Sequence, residues 1–221
     1  MAVSELLLQQ VPFYAGMSAA CRTVCAQRVN LRNVAKGEVI ARYGEVADDL
    51  LVLFNGRAYV YWVDEDGREV IFDTLSKGSL IGEISLLDRE QRSANVVMVE
   101  DGTLLALNGA MFYELMERFN DFSANLLREM AGRLRRANAM IGNLALLDVY
   151  GRVARWLLDN SEPMGSHRVI ERQPTRQDLA KMVGATREMV TKVMRDLERC
   201  GTLRREEGGR LIIDERGLGG A

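Results

Sequence analysis

Residues 174–201 read "PTRQDLAKMVGATREMVTKVMRDLERCG". Thr175 followed three positions on by Asp178 has the form of a capping box and opens a helix. That helix buries Leu179, Met182 and Val183, and Gly184 supplies a turn. Thr186 is a suitable N-cap for a second helix, which ends before Gly201. The second helix sets Met189, Val190, Val193, Met194 and Leu197 on its apolar side. Its other side carries Arg187, Glu188, Thr191, Lys192 and Arg195. A helix, a glycine turn and a second helix with polar and basic residues at its start fit the major groove of double-stranded DNA. The candidate DNA contacts are Thr175, Arg176, Gln177, Thr186, Arg187, Glu188, Thr191 and Lys192. Residues 202–214, "TLRREEGGRLIID", read as a β-hairpin turning at Glu207–Gly209, the wing of such a module. The competing reading is an αα-hairpin with a solvated charged face.

The charge distribution agrees with the first reading. The chain of 221 residues has a net charge of −2, yet residues 168–216 alone carry +3. Composition is that of a soluble globular protein, 48% hydrophobic and 27% charged. No apolar run approaches the ~20 residues of a transmembrane helix. The N-terminal segment lacks the basic start of a signal peptide, so no membrane partner and a cytoplasmic location are expected. Three cysteines and one histidine are poor material for zinc or iron–sulfur chemistry. Cys21 and Cys25 share a helix face and read as two small apolar residues. No nucleophile–base pair, metal spacing or Walker loop is present, so no catalytic residue is expected.

Upstream the texture is β-rich from about residue 34 to 108. Asn55-Gly56 reads as a hairpin turn between "LLVLF" and "RAYVYWV", and Asp64–Gly67 as a second one. A third strand pair is expected around Gly102, and the regular turn glycines suggest a closed jelly roll. Within this region residues 82–94, "GEISLLDREQRSA", place a carboxylate, Glu83, and a guanidinium, Arg92, around one short apolar segment. Charges are rarely buried without partners. Either the two satisfy each other, or they await a ligand carrying a hydroxyl and a phosphate.

From Ala110 to about Ile141 the period is helical. Phe112, Leu115, Met116 and Phe119 are placed against the β-domain. Leu127, Met130, Leu134, Ala137, Ile141 and Leu144 then follow at spacings of three and four, an a/d seam that predicts a homodimer. Gly142-Asn143 marks a domain boundary, and the Pro163, Gly165 and Pro174 segment reads as a loop.

With these motifs the sequence resembles the cAMP receptor protein/FNR (CRP/FNR) family of bacterial transcription regulators. The likeness rests on Gly37 and Gly44, the 82–94 segment, "IGNLALLDVYGRVARWLLD" and the helix-turn-helix. It implies an α+β fold in three parts. These are a cyclic-nucleotide-binding β-roll over residues 1–109, a dimerisation helix over 110–141, and a winged helix-turn-helix domain over 142–221. By the same likeness Glu83 accepts the ribose 2′-hydroxyl, and Arg92 and Ser93 hold the cyclic phosphate. Gly82, Ile84 and Ser85 complete the cassette. Ala137 and Asn138 stand where cAMP-responsive members have two hydroxyl residues against adenine. The four-cysteine cluster of oxygen sensors and the haem ligand of carbon-monoxide sensors are both missing, so neither metal nor haem is expected.

The Glu–Arg–Ser set suits one ribose and one cyclic phosphate, which favours cAMP. Cyclic di-GMP, or no ligand at all, is the alternative. The resemblance further implies palindromic TGTGA-like DNA sites and RNA polymerase as a partner. A regulatory subunit that binds cyclic nucleotide and controls an enzyme is the more remote reading.

Overall fold

The computed structural model describes residues 3–46, 48–206 and 209–214. The chain divides into two compact units, residues 1–135 and 136–221.

The first unit opens with three short helices, α1 (Glu5–Gln9), α2 (Pro12–Ala15) and α3 (Ala19–Arg28). Ser4 and Ser18 start α1 and α3 by accepting backbone N–H bonds from Leu7 and Cys21. Strands β1 (Asn30–Val34), β2 (Val39–Ala41), β3 (Asp49–Asn55), β4 (Ala58–Val63), β5 (Glu69–Leu75) and β6 (Leu80–Ile81) follow. Next come α4 (Glu83–Asp88), β7 (Asn95–Met98), β8 (Gly102–Asn108), α5 (Gly109–Arg118) and α6 (Asn120–Leu146). The strands form two four-stranded antiparallel sheets, ordered β1-β8-β3-β6 and β2-β7-β4-β5.

The run of apolar residues in β3 explains how this roll is layered. A strand buried on both faces needs a continuous apolar stretch rather than an alternating one. Leu51 and Leu53 join Ile40, Ala58, Leu75, Val96 and Met98 in the core between the sheets. Leu50 and Val52 point the other way, into a second core with Tyr14, Phe112, Leu115, Phe122 and Leu126 from the helices. Each such buried side chain contributes roughly 1.5–3 kcal/mol.

Two of the expected hairpins are corners instead. β3 pairs with β8 and β6, so neither of its edges is open to β4. Asn55-Gly56 therefore carries the chain from one sheet to the other, and Gly102 does the same between β7 and β8. The two corners pack together: a Cβ on Gly56, whose φ is +89°, would lie 2.9 Å from the Asp101 carbonyl oxygen. The Asp64–Gly67 turn does join paired strands, β4 and β5.

The helical stretch also differs from expectation. It breaks at Phe119, which takes an extended conformation and packs on the helical core. It then runs unbroken through Gly142-Asn143 to Leu146. A helical glycine costs only about 1 kcal/mol, so the glycine–asparagine pair does not end the helix.

The second unit contains α7 (Val149–Asp159), β9 (Glu162–Met164), β10 (His167–Ile170), α8 (Arg176–Val183), α9 (Arg187–Arg199), β11 (Leu203–Arg205) and β12 (Leu211–Ile213). Its sheet is ordered β11-β12-β10-β9. The segment read as a loop around Pro163 and Gly165 is thus the β9–β10 hairpin, and His167 is a strand residue. β11 and β12 pair as the wing. Of the turn read at Glu207–Gly209, Glu207 and Gly208 lie outside the described residues. Val153, Leu157, Leu179, Val183, Val190, Met194, Leu197 and Ile213 form the core of this unit.

Candidate functional site

Glu83 and Arg92 do not pair with each other. Glu83 is the first residue of α4, and Gly82 before it has φ +90° and ψ 0°. Glu83 is 1% exposed. Its Oε1 accepts a bond of 2.5 Å from Arg133 Nη1, and Arg133 Nη2 donates to the Leu80 carbonyl at 3.0 Å. Arg92 lies in a segment clamped by backbone bonds: Arg92 N–H donates to the Glu45 carbonyl, and Gly44 N–H to the Arg92 carbonyl. Its Nη2 donates to Asp49 Oδ1 at 2.6 Å and to the Asp49 carbonyl at 3.3 Å.

Each charge is therefore half satisfied. Glu83 Oε2 and Arg92 Nη1 are buried and have no hydrogen-bond partner among the described residues. Burial raises the Glu83 pKa, and the Arg133 guanidinium beside it pulls the other way. Both side chains line one pocket with about 350 Å³ of space, part of it open to solvent. Gly82, Ile84, Ser85, Ser93 and Arg133 line it too, with Ala41, Val60, Leu75 and Val96 as apolar walls. Ser85 Oγ donates to the Gln91 carbonyl at 3.3 Å, and Ser93 is exposed. The far end of α4 is tied to α5 by Tyr113, whose hydroxyl donates to the Leu86 carbonyl at 2.6 Å.

All six cassette residues expected from the sequence thus line the pocket. Ala137 and Asn138 are both exposed on α6. Two residues were missed. Arg133 extends the face of α6 that buries Phe122 and Leu126, standing seven residues or two helical turns past Leu126, so a helical wheel could have pointed to it. Asp49 stands 43 residues before Arg92, with no local pattern linking the two.

In the second unit α9 buries Val190, Met194 and Leu197. Val193 is half-buried, but Met189 is 46% exposed and leaves the apolar side to which the sequence assigned it. Gly184, at φ +61°, makes the turn. Glu188 and Lys192 are exposed on the opposite face, and Arg187 is exposed in the first turn of the helix. Thr186 and Thr175 accept capping bonds from Met189 and Asp178, and Thr191 Oγ1 donates to the Arg187 carbonyl at 2.7 Å. Arg176 pairs with Glu198 at 3.3 Å, and Gln177 is exposed.

Along α6, Leu127, Leu134, Ile141 and Leu144 are exposed and Met130 is half-buried. Among the described residues no helix is long and apolar enough to cross a membrane, and no cluster of three or more His, Cys, Asp or Glu is placed to hold a metal.

Comparison with known proteins matches both parts. The family described as "Cyclic nucleotide-binding domain" matches residues 31–119, and the "Crp-like helix-turn-helix domain" matches residues 151–219. The cAMP-activated global transcriptional regulator Vfr of Pseudomonas aeruginosa is 34% identical over 77% of this chain and 82% of its own. The structure of FixK2 from Bradyrhizobium japonicum superposes with a TM-score of 0.76 at 19% identity, covering 86% of this chain and 95% of that one. The c-di-GMP responsive global regulator CLP from Xanthomonas campestris superposes with a TM-score of 0.71 at 21% identity, covering 89% and 98%. The domain matches make this chain a DNA-binding regulator with a cyclic nucleotide-binding domain rather than an enzyme. A nucleotide-binding roll, a long helix and a winged helix-turn-helix, with relatives of this identity and coverage, place the chain in the CRP/FNR family of transcription regulators.

Proposed function

We propose that the pocket binds cAMP and that the bound nucleotide favours the DNA-reading state of a homodimer. The observation that carries this reading is the pair of buried, unpartnered atoms on one pocket, Glu83 Oε2 and Arg92 Nη1. An ionised carboxylate only accepts and a guanidinium only donates. A ligand that satisfies both presents a hydrogen-bond donor to Glu83 and an acceptor to Arg92 within one small molecule, and a ribose cyclic phosphate does so with its hydroxyl and its anionic oxygens. Cyclic di-GMP also carries ribose hydroxyls, so Glu83 does not discriminate against it. The phosphate count does, because the pocket offers one unpartnered guanidinium nitrogen for one phosphate. The name of Vfr, a cAMP-activated regulator, agrees with this choice. The c-di-GMP responsive relative supplies the second reading, which Ala137 and Asn138 in place of hydroxyl residues favour.

A ligand shifts a conformational equilibrium only through differential binding. Arg133 of α6 holds the other oxygen of Glu83, so a hydroxyl at Oε2 is felt by the helix that carries Leu127, Leu134, Ile141 and Leu144. Those exposed residues, with Met130 and Ala137, form the seam for a second copy. Residues 1–109 sense, 110–141 dimerise and 142–221 read DNA. Arg187, Glu188 and Lys192 read palindromic TGTGA-like half-sites, with RNA polymerase as partner in the cytoplasm.

Calorimetric titration of wild type, Glu83→Ala and Arg92→Leu with cAMP, cGMP and cyclic di-GMP tests the reading. Tight cAMP binding lost in both variants is expected. Cyclic di-GMP binding that survives Glu83→Ala, with no cAMP binding, would overturn it.

A further inference from the structure

We propose that Asp49 is an internal rival of the ligand phosphate, setting the nucleotide affinity of the pocket by occupying half of Arg92. This rests on the reading of the pocket as a cyclic-nucleotide site.

Asp49 opens β3 and reaches Arg92 twice, through Oδ1 at 2.6 Å and through its carbonyl at 3.3 Å, both to Nη2. Both contacts fall on one nitrogen, whose two N–H groups are thereby spent. Nη1 remains, buried against Gly82. Arginine grips phosphate best through two parallel N–H bonds. With Nη2 held, a cyclic phosphate is left with Nη1 and the single Nε–H unless Asp49 yields.

The charges point the same way. Glu83 is matched by Arg133, and Arg92 by Asp49, so the four groups sum to zero before any ligand enters. An anionic phosphate arriving at Arg92 meets the Asp49 carboxylate as a like charge at short range. The Arg92 side chain is 8% exposed and needs a counter-anion, and Asp49, at 31%, is partly in solvent and able to be displaced. The pair thus holds Arg92 in place without ligand and lowers its attraction for phosphate.

A purely orienting Asp49 would behave oppositely, since loss of an orienting carboxylate weakens ligand binding. Asp49→Asn separates the two roles, because asparagine keeps an oxygen acceptor of the same shape and removes the charge. The variant is titrated calorimetrically with cAMP beside wild type. In parallel, a double-mutant cycle of Asp49→Asn and Arg92→Leu is measured by urea unfolding. The inference expects roughly tenfold tighter cAMP binding at low salt, the Coulomb repulsion being discounted for the exposure of Asp49. The gain should shrink as salt rises. It also expects non-additive destabilisation in the cycle. Unchanged or weaker cAMP binding by Asp49→Asn, with wild type still binding, overturns the inference and leaves the nucleotide reading standing. An additive cycle overturns it whatever the titration shows. If neither protein binds any cyclic nucleotide while the cycle shows coupling, the nucleotide reading has failed and takes this inference with it.

Discussion

Gly82→Ala strikes the pocket in two independent ways. Gly82 sits at φ +90°, and a left-handed backbone costs an L-residue about 1–2 kcal/mol. An added Cβ would overlap Arg92 Nη1, and would lie 2.6 Å from Arg92 Cζ and 2.9 Å from the Asp49 carbonyl oxygen. The carbonyl belongs to β3, which is paired on both edges, so the guanidinium must move. Moving it breaks the 2.6 Å pair with Asp49. Breaking a fully buried pair costs about 3–5 kcal/mol, but the partial exposure of Asp49 reduces this to about 1–2 kcal/mol. Together the two effects predict a loss of about 2–4 kcal/mol, or roughly 5–15 °C in Tm for a chain of this size. Nucleotide affinity should fall by about ten- to a hundredfold, the usual loss for one charge-assisted bond. Scanning calorimetry with and without cAMP measures both. A Gly82→Ala protein with Tm within about 1 °C of wild type and unchanged cAMP affinity would refute the proposed packing of Gly82 against Arg92.

Glu83 gives a pH signature. Burial raises its folded pKa above the unfolded value, so its contribution to stability is full below the ordinary glutamate pKa and is lost as pH rises through the raised value. Relative to Glu83→Gln, wild type should therefore gain Tm on acidification across that window, and a flat difference would contradict the assignment. Arg187→Ala should weaken operator binding by about 1–3 kcal/mol at fixed salt in a fluorescence titration; equal affinity would remove Arg187 from the reading face. Ile141→Asp would place an unpaired carboxylate in a dimer seam in both copies. Light scattering should report a monomer, and a persistent dimer would move the interface elsewhere.

The parts of the fold that were legible are those with local signals. Thr175, Gly184 and Thr186 cap and turn the reading helices as their types require, and Val190, Met194 and Leu197 face inward at helical spacing. That Glu83 and Arg92 meet at one pocket was legible because the two charges stand nine residues apart in one segment. What failed was non-local. Asn55-Gly56 has the composition of a hairpin turn, but β8 and β6 already hold both edges of β3, and strand pairing is decided across the whole roll. The helix breaks at Phe119, whose partly buried ring packs against the helical core across the fold. The seam drew attention to one face of α6, while the face through Phe122 and Leu126 delivers Arg133 to Glu83. Asp49 reaches Arg92 across the fold, and nothing in either segment announces it.

The central claim is that a cyclic nucleotide in this pocket governs DNA binding. Fluorescence anisotropy of a labelled palindromic TGTGA-type duplex tests it most directly, at one salt concentration, with and without cAMP, cGMP and cyclic di-GMP. The account predicts about ten- to a hundredfold tighter binding with cAMP, and no such gain in Arg92→Leu. Equal affinity with and without cAMP, or the same gain in Arg92→Leu, would contradict it.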